Sequence, residues 1–208
     1  MISLAFNSIF WGSIGYFVAL GGIISVGFII GADQIEPYSL LLETPGILIE
    51  LFILYCFYVL HPLDPNLKRA FWAYFTIFLL GLLNLFVFDI EIFGDSTSSF
   101  LFYYASLALG FLHIFFLCNG IVGIANQYRM SELGKTALYR RNLFLVSGSI
   151  AEAMRQFPLL LNAIHPLLTI LYTFIFIPTA LVFFVSNILI LFLYHKTAVK
   201  FGQREMAL

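Results

Sequence analysis

LFLVSGSIAEAMRQFPLLLNAIHPLLTILYTFIFIPTALVFFVSNILILFLYH, residues 143–195, is almost continuously apolar, yet it is too long for one membrane crossing and carries Glu152, Arg155 and three prolines. A helix crosses the hydrocarbon core with about 20 residues. Two divisions satisfy that length. In the first, a helix over 143–164 ends at His165-Pro166 and a long, tilted helix follows over 167–195. In the second, residues 143–156 lie at the interface or re-enter, and the last two spans meet at Pro178. Both place two crossings in the stretch.

Upstream, apolar runs over 9–30, 40–60, 70–88 and 100–125 supply four more. The predicted fold is therefore all-α: one polytopic transmembrane domain, residues 1–208, with six helices. Mean hydropathy of +1.00, 62% apolar residues and 10% charged residues leave too little polar surface to cover a water-soluble globule.

Charge placement orients the spans. Of the ten Lys and Arg residues, all but Arg155 fall outside the apolar runs. Lys68 and Arg69, then Arg129, Lys135, Arg140 and Arg141, then Lys196, Lys200 and Arg204 occupy alternate connections. The intervening connections hold Asp33 and Glu36, then Asp89, Glu91 and Asp95. Basic loops resist translocation, so both termini are expected to be cytoplasmic. The first run lacks a basic flank and a small-residue cleavage site, which predicts a permanent span. Localisation is expected in a bacterial plasma or inner membrane, with the lipid bilayer as surroundings and no nucleic-acid partner. Tyr103 and Tyr104 on one side, and Tyr128, Tyr139 and Tyr194 on the other, fit interfacial belts.

Small residues recur at steps of three and four in the first helix: Ala5, Ser8, Gly12, Gly15, Ala19 and Gly22. The fourth carries Ser106, Gly110 and Gly120, with His113 on the same face. Such stripes let backbones approach closely in lipid. They predict packing of helices one and four on each other, or a homo-oligomer or partner membrane subunit docked through either. His61-Pro62-Leu63 and His165-Pro166-Leu167 hint at an inverted repeat of three helices, an arrangement that places binding sites near the midplane.

Glu50 on the second span and Glu152 and Arg155 on the fifth are charged residues deep within spans; the last two are three apart on one helix face and can neutralise one another. Intramembrane charges are costly and mark ion or solute sites. Together they predict a midplane site in a small transport protein, or in the membrane subunit of a transporter. A second reading is a haem- or quinone-linked membrane anchor subunit of an electron-transfer complex, in which His113 and His165 would ligate haem b on facing helices. A third is a non-catalytic accessory subunit. Cys56 and Cys118 lack metal or redox spacing. No hydrolase, zinc or phosphate-loop motif is present, so an enzyme is not expected.

Overall fold

A computed structural model describes residues 1–30, 39–85, 97–162 and 166–205. Six α-helices run in chain order: α1 Ile2–Ile30, α2 Ser39–Leu60, α3 Pro65–Leu83, α4 Thr97–Gln127, α5 Ser131–Asn162 and α6 Pro166–Glu205. No strand occurs among the described residues. A short 3-10 turn, His61–Leu63, links α2 to α3. Windows in α1, α2, α4 and α6 are long and apolar enough to cross a membrane. The protein is a helical membrane bundle.

The last apolar stretch divides between Asn162 and Pro166, and Pro178 sits inside α6 rather than at a turn. A single proline removes one backbone hydrogen bond and bends a helix without ending it, which overturns the division at Pro178. Residues 143–156 are helical within α5 and not a separate re-entrant segment. His165 lies outside the described residues, as do 86–88 of the third expected span. The polar 127–141 connection is also shorter than it reads. Only Tyr128–Met130 form the turn, and helix resumes at Ser131.

Two local devices make the connections tight. Asp64 caps α3, its Oδ1 accepting the Asn66 N–H at 2.7 Å, with Pro65 in the first turn where its missing N–H costs nothing. At the end of α4, Arg129 takes φ 56° and the Met130 N–H reaches back to the Ala125 carbonyl at 2.7 Å. That closure is the Schellman pattern, achieved here without the usual glycine.

Packed seams connect α1 to α2, α2 to α3, α3 to α4, α4 to α5, α5 to α6 and α6 back to α1. The helices thus close a ring. The amino group of Met1 meets the Glu205 carboxylate at 3.0 Å, so both ends of the described chain lie on one side. The small-residue stripes serve different seams from the one expected. Gly12 and Gly15 of α1 receive Ile53 and Ile49 of α2, while Gly120 of α4 receives Leu67 of α3. Ser8 hydrogen-bonds to Cys56 on α2. Gly22 and Gly110 have nothing within 4 Å of a would-be Cβ.

Most of the buried core lies toward the basic end. Phe6 and Ile9 of α1, Leu60 and Leu67 around the α2–α3 turn, Ile121 and Ile124 of α4, Leu133 of α5, and Leu193 and Phe201 of α6 are all under 2% exposed. The four helices meeting there are 29 to 40 residues long, whereas about 20 span the hydrocarbon. Their basic ends therefore emerge as a helical collar. Trp11, Tyr58, Trp72 and Tyr139 are exposed where the collar begins, as interfacial aromatic rings should be. Toward the other end Phe174, Ile177, Leu181 and Phe184 of α6 point outward, as lipid-facing side chains do.

The closest fit is between Asp64 and Gly123. A Cβ on Gly123 would stand 2.0 Å from Asp64 Oδ2, and one on Gly120 2.5 Å from Leu67 Cγ. Gly123→Ala is expected to displace the α2–α3 turn and cost about 2 kcal/mol, read as a drop of roughly 5 °C in the melting temperature of the detergent-solubilised protein. Gly22→Ala and Gly110→Ala meet open space and should leave that temperature unchanged or slightly raised. Equal losses in all three variants would contradict this placement of the α3–α4 seam.

Candidate functional site

The core faces of α1, α2 and α3 continue toward the acidic end but change character there. On α2 the face reads Leu60, Phe57, Ile53, Glu50, Gly46, at alternating steps of three and four. On α1 it runs Ile2, Ile9, Tyr16, Ile23, and on α3 Leu67, Ala70, Tyr74, Phe78, Gly81. Large apolar residues give way to Glu50, Gly46, Ala19 and Gly81. The bundle consequently fails to close, leaving a cavity of about 490 Å³ between the three helices.

Tyr16, Glu43, Glu50, Phe78 and Asn84 supply its polar and aromatic lining; Ala19, Leu20, Ile23, Gly46, Ile47, Gly81, Leu82 and Leu85 supply the rest. Gly46 is small because Tyr16 lies across it, with ring Cε2 3.5 Å from a would-be Cβ. That contact places the Tyr16 side chain beside Glu50 in the lining of the cavity. Among the described residues no Lys, Arg or His lines the cavity and no basic side chain pairs with Glu43 or Glu50. Two carboxylates, a phenol and an amide in a mostly apolar cleft form a site suited to a cation or a proton, and repulsive to anions.

Glu152 and Arg155 do not line this cavity. They meet α4 instead. Tyr103 donates to Glu152 Oε2 at 2.8 Å, Tyr104 donates to Oε1 at 3.1 Å, and the Arg155 guanidinium donates to the same carboxylate at 3.2 to 3.3 Å. Arg155 also stacks on the Tyr103 ring, its Cζ 4.1 Å from the centroid. Each charge is thus neutralised and hydrogen-bonded within one cluster that ties α4 to α5. The three charges, on two helices, thus fall into two separate places, with Glu50 at the cavity and the pair between α4 and α5.

His113 fills the α3–α4 seam. Its Nδ1 lies 2.9 Å from the Ala70 carbonyl oxygen, and its ring contacts Phe57 edge-on at 5.0 Å and Tyr74 at 5.1 Å. Only 5% of the residue is exposed. An axial haem ligand needs an open plane in front of its metal-binding nitrogen. Here aromatic side chains close around the imidazole, so His113 does not fit that role. Its partner in the haem reading, His165, lies outside the described residues. No group of three or more His, Cys, Asp or Glu side chains is placed to hold a metal among the described residues.

Sequence reasoning singled out Glu50 but passed over Tyr16, Glu43, Asn84 and the glycines opposite it. The period-seven spacing of Ile9, Tyr16 and Ile23 places the phenol on the core face, and that signal was available. Comparison with known proteins leaves the assignment to these residues, because no family model matches the chain and no curated protein or solved structure resembles it.

Proposed function

We propose that this protein is a small membrane transport protein, or the membrane subunit of one, that accepts a cation or a proton at Glu50 from the acidic side of the bundle. One observation carries the reading: a carboxylate stands on the core face of a membrane helix and lines a cavity together with Tyr16, and among the described residues no basic side chain pairs with it. An acidic side chain at the centre of a membrane helix costs roughly 2.5 to 3.5 kcal/mol on insertion scales. A structural role for a polar group would be served more cheaply by Gln or Ser. Retaining an ionisable group there is explained by a ligand that exchanges its charge.

The cavity also sits on the loosely packed side of the bundle, with the dense collar beneath it. A solute entering from the acidic side meets Glu43 first and Glu50 deeper, then a wall of Ile53 and Phe57. Release on the far side requires α1, α2 or α3 to shift against the collar, which is how alternating access works in helical carriers. Ala19 and Gly81, small residues in the cavity lining, leave room for that shift.

In proteoliposomes, Glu50→Gln is expected to abolish uptake of small cations or protons while leaving the melting temperature of the purified protein within about 2 °C of wild type; retained uptake would remove the proposal. Tyr16→Phe removes the hydroxyl that lines the cavity with the carboxylate; losing one hydrogen-bonding group for the bound cation or its water, worth about 1 kcal/mol, should weaken apparent affinity roughly fivefold. Neither variant should confer uptake of anions.

A further inference from the structure

The outward face of α4 carries a polar clamp above an apolar track, separate from the cavity. Adjacent residues Phe115 and Phe116, with ring centroids 5.5 Å apart, each support an arginine from a neighbouring helix. Arg69 of α3 lies over Phe116 at 5.6 Å, and Arg141 of α5 lies over Phe115 at 5.2 Å. Arg141 is held by Asn119, and by Asn142 at 2.9 and 3.0 Å. Arg69 is exposed and has no hydrogen-bond or acidic partner among the described residues. Two guanidinium groups thus flank one strip of α4 at the level where the collar begins, and no carboxylate neutralises either.

Toward the acidic end the same face continues as Leu112, Ala108, Ala105 and Leu101, spaced three and four apart, all exposed. Ala105 and Ala108 make it a shallow track that ordinary lipid-facing positions, filled with Leu and Phe, do not offer. A phosphate-bearing headgroup beneath paired arginines with acyl chains rising along small side chains is the chemistry of a phospholipid. The geometry points to a specific site for an anionic phospholipid of the basic-side leaflet, with Arg69 and Arg141 gripping its phosphate and Leu101, Ala105, Ala108 and Leu112 receiving a chain. Arginine suits this task because its fork matches phosphate oxygens and its flat face stacks on phenylalanine. The site is independent of the transport reading.

Titration of the delipidated full-length protein with phosphatidylglycerol and with phosphatidylcholine of identical chains, followed by native mass spectrometry, tests it. Phosphatidylglycerol should bind at least tenfold more tightly. Arg69→Gln removes the guanidinium that lies over the Phe116 ring and should weaken that binding about fivefold, and Ala108→Leu should weaken it while leaving the melting temperature of lipid-free protein unchanged. Lys200→Gln, a charge on the far end of α6, should have no effect. Equal affinity for the two lipids, an unchanged affinity in Arg69→Gln, a loss in Lys200→Gln equal to that in Arg69→Gln, or full competition by soluble glycerol phosphate would each overturn the proposal.

Discussion

Apolar burial stabilises a protein only where the alternative is water, and this constraint explains where the bundle is dense and where it is loose. Within hydrocarbon, Leu against lipid is as comfortable as Leu against Leu. Toward the basic end, where α5 and α6 run on through polar turns, the helices and the α2–α3 turn bury Phe6, Leu60, Leu67, Ile121, Leu133 and Phe201 almost completely. The collar is in effect a small soluble core welded to a membrane bundle. Inside the membrane, association depends on close approach and polar contacts instead. Gly148 of α5 illustrates the first, with Phe111 and Phe183 2.8 Å from a would-be Cβ. The Ser147–Ser186 pair at 3.1 Å illustrates the second.

The same division accounts for the cavity. A water-soluble fold of this shape would gain several kcal/mol by filling 490 Å³ with larger side chains. A membrane fold gains less, so the space between α1, α2 and α3 can persist. Polar residues placed there face either protein or whatever enters. The Glu152–Arg155 cluster is the contrasting case, since its charges are already saturated by Tyr103, Tyr104 and each other.

Six helices, their order and the common side of the two ends followed from run lengths and charge alternation alone. Helix boundaries did not. A hydropathy run stops at its first charge, whereas α5 begins at Ser131, a dozen residues earlier, and α6 continues to Glu205. Backbone hydrogen bonding propagates a helix through polar residues once its apolar part is fixed. Which stripe packs on which helix was likewise illegible, because glycine at steps of three and four records that something approaches and not what. The pairing of α1 with α6 and α2 is a property of the ring. For the site, Glu50 stood out through its cost in lipid, while Tyr16 was hidden because a tyrosine in an aromatic-rich chain carries no such penalty. Glu152 and Arg155, three residues apart, could in sequence either join Glu50 or neutralise each other, and in space they pair with each other and with Tyr103 and Tyr104.

Ring closure by the first and last helices carries a consequence for biogenesis. During synthesis α1 enters the membrane long before α6 exists, so the half that holds the cavity must persist with one flank bare until the final helix arrives. Phe6 and Phe10 of α1 meet Tyr194, Phe192 and His195 only then. Loss of α6 therefore threatens the packing of α1, the helix farthest from it along the described chain.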